Sequence, residues 1–183
     1  MICKADKNDA KKVIELLNLA MEDIAFSLSG TSNLEQSNQI LQEFFKCENN
    51  RLSYENILVF KDDKNVVGAI CFYNGLNSKK LDMPFIKRLE NLGKTPNIKQ
   101  ECTKNELYID SLAVDINYRG QKIATKLISA VCQKAKNLGI KTSLIVDEKK
   151  PEVKKYYENL GFLSKDEIKI LGHKYKYMTK DLI

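Results

Sequence analysis

A phosphate-bearing ligand asks three things of a polypeptide: a cationic donor, unpaired backbone N–H groups, and a main chain that can come close. Residues 107–128 offer all three. A strand-forming stretch, 106–114, runs through Leu-Ala-Val into Arg119-Gly120, and a helical pattern follows at once. The first N–H groups of a helix have no intrahelical partner, and the helix dipole is positive there. Arg119 adds a planar charged donor suited to phosphate. Gly120 lets the backbone approach the ligand. Small Ala124 leaves room above the first turn.

Proton-transfer groups lie on either side of this segment. Glu106, Tyr108 and Asp110 alternate along one strand face. A carboxylate among Ile109, Leu112 and Val114 should be partly desolvated, which raises its pKa toward a value useful in a base. The alternative for Asp110 is a structural carboxylate that serves a bulge or pairs with a lysine. Tyr156 and Tyr157 sit in a later helical segment. Tyr156 reads as the packing residue of the two. Glu101 can draw in a cation or simply be solvated. His173, the one histidine, falls near a turn and reads as exposed.

The elements that must hold these residues follow from periodicity. Ile2 to Ala5 reads as a short strand. Val13, Leu17, Met21, Ile24 and Leu28 mark one face of a helix from about Asn8 to Leu28, stopped at Ser29-Gly30. Ser32-x-x-Glu35 reads as a capping box for a second helix with Leu34, Leu41, Phe44 and Phe45. Ile57–Phe60 and Val66–Tyr73 form a hairpin around a polar turn, and Gly68 marks a bulge or a close backbone contact. Asp82 is expected to cap a short helix with Pro84 in its first turn, and 95–105 to be irregular. The strand 106–114 and a helix with Ile123, Leu127, Val131, Ala135 and Leu138 on one face come next. A strand at 142–146, a helix opened by Pro151 and a closing hairpin complete the chain. Asn-Leu-Gly at 91–93, 137–139 and 159–161 supplies helix stops rather than a repeat. The order is β-α-α-β-β-(short α)-β-α-β-α-β-β, an α/β fold on a mixed sheet, expected to be one domain over 1–183.

Composition narrows the classes. The chain has 183 residues, 43% apolar and 30% charged, in the ordinary globular range. No apolar run approaches the ~20 residues of a membrane span, and the N-terminal residues show no signal-peptide pattern. A cytoplasmic protein with no membrane partner is expected. The five cysteines are widely spaced and lack a C-x-x-C pair, so neither a disulfide framework nor a metal site is expected. The net charge of +6 comes from scattered lysines, not arginine clusters, which argues against nucleic acid.

With Leu-Ala-Val-Asp ahead of it, Tyr-Arg-Gly-x-x-Ile-Ala-x-x-Leu-Ile resembles the GNAT superfamily, the GCN5-related N-acetyltransferases. The family's cofactor motif is Gln/Arg-x-x-Gly-x-Gly/Ala. Arg119 matches its first position and Ala124 its last, while Lys122 stands where a glycine is usual. The segment 151–162, ending Tyr156-Tyr157-Glu158-Asn159-Leu160-Gly161-Phe162, is similar to the family's A-x-x-x-Y-E-K-L-G-F. The resemblance implies acetyl-CoA as co-substrate, no metal, and direct attack of an amine on the thioester. It implies that Arg119, Gly120, Gln121, Lys122, Ile123, Ala124 and Thr125 hold the pyrophosphate. The backbone of Leu112, Ala113 and Val114 would pair with the pantetheine arm, one N–H polarising the thioester oxygen. It makes Tyr157 the acid that protonates the thiolate. Asp110, or else Glu106, becomes the base, since the glutamate some relatives carry on the next strand aligns with Ile145. Lys150 aligns with an asparagine that touches the arm in relatives. The acceptor is a small-molecule or protein amine, and the oligomeric state stays open, a homodimer among the options. The other reading is a non-catalytic module that binds acyl-CoA, motivated by Lys122 and Lys150.

Overall fold

The computed structural model describes residues 1–181. Seven strands form one mixed sheet in the order β1-β2-β3-β4-β5-β7-β6. They are β1 (Ile2–Lys4), β2 (Ile57–Asp62), β3 (Asn65–Asn74), β4 (Glu106–Val114), β5 (Lys141–Asp147), β6 (Leu163–Ile170) and β7 (His173–Lys180). All neighbours run antiparallel except β4 and β5. That parallel pair needs a crossover, which α5 (Ile123–Leu138) supplies.

The helices divide between the two faces by where their apolar stripes point. The stripes of α1 (Ala10–Met21), α2 (Asp23–Ser29) and α3 (Leu34–Lys46) meet Val59, Ala69, Cys71 and Ala113 in one core. The stripe of α5 meets Leu58, Ile70, Leu107, Ile109, Leu144 and Met178 on the other face, with Tyr157 and Phe162 beside it. Gly68 lies beneath α5. A Cβ there would stand 2.9 Å from the Ile123 side chain, so the close contact expected of this glycine is present. The bulge offered as the alternative is present too: Phe60 pairs with Gly68 and Lys61 with Val66, which leaves Val67 of β3 unopposed beside the glycine.

Three local expectations need correction. The helix expected over Asn8 to Leu28 is broken at Glu22, whose φ is 48° and ψ −124°, after a 3-10 turn at Lys7–Asp9. The apolar stripe continues through Met21, Ala25 and Leu28, so periodicity alone hides the break. The cap of α3 is Asn33, one residue later than expected. Its side chain accepts from the Gln36 N–H at 2.9 Å, while Gln36 turns to Thr31. Asn caps as well as Ser, and both frames offer an acid or amide three residues on.

The third correction is the largest. Asp82 caps nothing. It lies inside α4 (Ser78–Asn91), a longer helix than expected, which runs through Pro84. Interior proline removes a backbone bond at about 3 kcal/mol. Burial of Leu81, Phe85 and Leu89 offsets it, with Phe85 stacked on Phe44 at 4.0 Å. The Asn-Leu-Gly stops behave as expected: Gly93, Gly139 and Gly161 all take positive φ.

Candidate active site

The parallel ladder between β4 and β5 ends at Ile109 and Leu144. Beyond it β4 continues to Val114 and β5 to Asp147, but no pair joins them. On its other edge β4 stays paired with β3 through Leu112, Ala113 and Val114. The backbone of these residues therefore presents one satisfied edge and one open edge. A cavity of about 260 Å³ fills the gap, lined by 109–113 of β4, 144–147 of β5, the α1–α2 break, Tyr157 and Tyr175.

A second cavity of about 250 Å³ lies at the start of α5. Val114, Tyr118, Gly120, Lys122, Ile123, Ala124, Thr125 and Tyr156 line it. Arg119 lines both cavities, so the open edge of β4 leads from one to the other. The helix does not start directly after Gly120 as expected. A 3-10 turn at Ile116–Tyr118 intervenes, Gly120 and Lys122 take φ of 80° and 59°, and α5 begins at Ile123. The N–H groups of 120–125 have no acceptor among the described residues; the first helical bond runs from Lys126 to the Lys122 carbonyl. A left-handed backbone at position 122 gives the physical reason a glycine suits it.

Of the residues expected at the cofactor, all but exposed Gln121 line one of the two cavities. Lys150 lines the first, and its ammonium pairs with Glu22 at 2.7 Å across the mouth. Tyr156 is more than packing. Its hydroxyl meets that of Thr125 at 2.9 Å, tying α6 (Pro151–Asn159) to the start of α5. Tyr157 is 8% exposed, packs edge-on against Phe162 at 5.6 Å and lines the first cavity. Burial raises its pKa, which keeps it a protonated donor. Its hydroxyl has no hydrogen-bond partner among the described residues.

The two candidate bases part company. Glu106 is buried but does not line the cavity. It accepts from the Tyr177 hydroxyl and the Thr103 N–H, with the Lys141 ammonium 3.6 Å away. The strand face was read correctly, yet Glu106 lies one step too far back and is consumed by its neighbours. Asp110 does line the cavity. It occupies a bulge: Ser111 pairs with Cys71 and Ile109 with Phe72, leaving Asp110 unopposed. Its partner is an arginine rather than the lysine considered above.

That arginine, Arg51, is the residue sequence reasoning missed. It is 2% exposed. Its Nε donates to Asp110 at 3.1 Å and its Nη2 to the same oxygen. Nη1 reaches Asp82 and Nη2 reaches Glu101, each at 3.3 Å, and the Tyr73 ring lies 5.9 Å from the guanidinium. Three carboxylates thus surround one buried cation. Burial, together with the other two carboxylates, raises the Asp82 pKa to about 6 against the pull of Arg51. Burial likewise raises Glu101. The one signal in the sequence was an arginine in a lysine-rich chain, since Asp82 read as a helix cap. His173, half-buried, begins β7 away from this cluster.

The site is thus a sheet split between two parallel strands, with a bare helix start of the kind that attracts anions at one end of the split and buried acids and a tyrosine at the other. The sequence profile of the acetyltransferase (GNAT) family matches residues 19–162, and the chain belongs to that family. A crystal structure of an acetyltransferase, 28% identical and covering 100% of both chains, has a TM-score of 0.80. An N-acetyltransferase from Staphylococcus aureus Mu50, 25% identical, covers 98% of this chain and 99% of its own, with a TM-score of 0.82. The PaiA N-acetyltransferase from Thermoplasma acidophilum, solved with coenzyme A, shares the fold at 17% identity, covering 99% and 98% at a TM-score of 0.58. No curated protein sequence matches the chain.

Proposed function

We propose that the chain, acting as one domain over 1–183, transfers the acetyl group of acetyl-CoA to a primary amine by direct attack on the thioester. The observation that carries this reading is the open backbone edge of β4 joining the two cavities at Arg119. Acetyl-CoA supplies an activated acyl group on a pantetheine arm. Residues 112–114 hold the arm by main-chain hydrogen bonds, and a free N–H on the same edge polarises the thioester oxygen. The N–H groups of 120–125, with Arg119 and Lys122, hold the pyrophosphate. A mobile arm held on a strand edge brings the carbonyl beside the acids of the first cavity, which converts a bimolecular encounter into a positioned one.

As the tetrahedral intermediate collapses, Tyr157 gives its proton to the departing thiolate. Its unpaired hydroxyl and its place in the cavity lining support this role, and its raised pKa keeps it protonated until the thiolate forms. The amine's proton passes to a carboxylate at the inner end of the cavity, where Asp110 and Glu101 both stand. These groups favour turnover over a module that only binds acyl-CoA. The acceptor is a small-molecule or protein amine, and the setting is cytoplasmic. No helix among the described residues is long and apolar enough to cross a membrane.

The test has two parts. Calorimetric titration with acetyl-CoA should show one saturable site. A panel of amines, followed by thiol release, should give turnover that Tyr157→Phe lowers by about 100-fold or more. Binding without thiol release from any amine would leave the acyl-CoA-binding module as the correct reading, and an unaltered rate in Tyr157→Phe would remove the tyrosine from the mechanism.

A further inference from the structure

The cavity offers two carboxylates to an incoming amine, and their surroundings differ. Asp110 carries four donors, three of them on one oxygen. Its Oδ1 accepts from Arg51 Nε and Nη2 and from the Tyr73 hydroxyl at 3.3 Å, and its Oδ2 accepts from the Ser111 hydroxyl at 3.3 Å. Glu101 has one donor on each oxygen. Arg51 Nη2 meets Oε1 at 3.3 Å, and the Tyr108 hydroxyl meets Oε2 at 2.5 Å. Ionised carboxylate oxygens offer about four lone-pair sites. With two donors against four, Glu101 keeps more acceptor capacity where it lines the cavity, while Asp110 is gripped by Arg51 through one crowded oxygen.

The connector that carries Glu101 is held in place from below. Gln100 donates to the Cys102 carbonyl at 3.1 Å and to the Ser78 hydroxyl at 3.2 Å. Gly75 lies so close that a Cβ there would overlap the Thr103 carbonyl. Glu101 is thus presented by a braced segment, even though 95–105 is irregular.

Within the transferase reading above, we propose that Glu101 is the catalytic base and that Arg51 is its positioning residue. The acceptor enters as an ammonium and gives one proton to the Glu101 carboxylate, which frees the nitrogen lone pair. The N–C bond forms, the C–S bond breaks, and the thiolate takes the Tyr157 proton. The second nitrogen proton leaves as the amide forms and returns to the Tyr157 phenolate through water. Glu101 releases its proton to solvent, so each turnover yields one amide, one free thiol and one proton.

The charged and titratable groups facing Glu101 are Cys102 beside it in the chain, Arg51 from the α3–β2 connector, Tyr73 of β3, Asp82 of α4, Tyr108 and Asp110 of β4, and Tyr175 of β7. Burial raises Glu101, Asp110 raises it further, and Arg51 lowers it. The ionised form is the active one. The rate should therefore fall as pH drops through the Glu101 pKa.

The experiment is the pH profile of kcat/KM for thiol release, with the best amine of the panel, in four variants whose melting is checked in parallel. Glu101→Gln should lower kcat by about 100-fold or more and flatten the acid limb, with acetyl-CoA affinity unchanged. Glu101→Asp should keep a limb. Asp110→Asn should move the limb to lower pH, and Arg51→Lys, which loses the fork, should move it to higher pH. Glu101→Gln with an intact rate and limb would overturn the assignment, as would Asp110→Asn abolishing the limb. Should Glu101→Gln not fold, the direction of the Asp110→Asn shift decides. A wild-type protein that binds acetyl-CoA yet releases thiol to no amine overturns the transferase reading itself. One that turns over regardless of Glu101 overturns only the base.

Discussion

The two ends of the β4–β5 split are built from different materials. The proposed cofactor end is main chain: an open strand edge, two left-handed residues and the unpaired N–H groups of 120–125. Its side chains, Arg119 and Lys122, are exposed. The proposed acceptor end is side chain: Arg51 buried among Asp82, Glu101 and Asp110, brought from four separate stretches of sequence. A main-chain site tolerates substitution because almost any residue supplies an N–H. A buried charge cluster does not, since each member's charge is balanced by the others. Folding and function should therefore separate at the first end and be inseparable at the second.

The sharpest way to break that contrast is to remove one arginine from each end. Arg51→Met leaves three carboxylates buried without their cation. Breaking a buried pair costs about 3–5 kcal/mol, so a large drop in urea midpoint is expected at pH 7. The loss should shrink in acid, where the carboxylates take up protons instead. Arg119→Met should leave stability within about 0.5 kcal/mol and weaken acetyl-CoA about tenfold by calorimetry. Equal stability losses in the two variants would show that the contrast is wrong.

The same difference explains what could be read from sequence. The cofactor end is local. Strand, turn, arginine, glycine and helix follow one another within 107–128, so spacing suggested a generic anion site and the family resemblance gave it a cofactor, and Glu106–Val114 is the strand that was expected. The acceptor end is assembled by tertiary contacts between residues up to 59 positions apart. Local rules misassigned its parts: Asp82 ahead of Pro84 has the signature of a helix cap, yet α4 continues through both because Arg51 claims the carboxylate and the core claims Phe85. Glu106 shares a strand face with Asp110, but alternation cannot say where along that face the cavity lies. The break at Glu22 carries no glycine or proline. Its strained backbone sits at the cavity rim, where residues 19–22 and 24 contribute to the lining.

A gentler test of the buried end uses pH alone. The folded-state pKa of Asp82, about 6, lies above its ordinary value of 3.8. A raised carboxylate pKa means that the protonated form is favoured by folding. That stability is fully present below about pH 4 and is lost as pH rises through about 6. The shift corresponds to about 3 kcal/mol. Urea titrations from pH 4 to 8 should show wild type losing that much more stability than Asp82→Asn over the same range. The subtraction matters, because Asp6 and Asp115, held low by a backbone N–H and by Lys12 respectively, contribute with the opposite sign. Parallel curves for the two proteins would mean that Arg51 compensates Asp82 fully.

The smallest expected effect is at the main-chain end, and it asks what Lys122 does there. A non-glycine residue in the left-handed region costs about 1 kcal/mol, and glycine removes that cost while losing part of the gain to its freer unfolded chain. Lys122→Gly should therefore stabilise the fold by less than about 1 kcal/mol. If position 122 serves only through its backbone, acetyl-CoA affinity will not change. An exposed ammonium beside the start of α5 and Arg119 adds to the positive field there, a contribution of about 0.3–1 kcal/mol for a charge at a helix end. We therefore expect affinity to fall about threefold, and the loss to vanish at high salt, where such a surface charge is screened. Unchanged affinity at low salt would make the cofactor end a pure backbone site, with Lys122 a strained stand-in for the usual glycine.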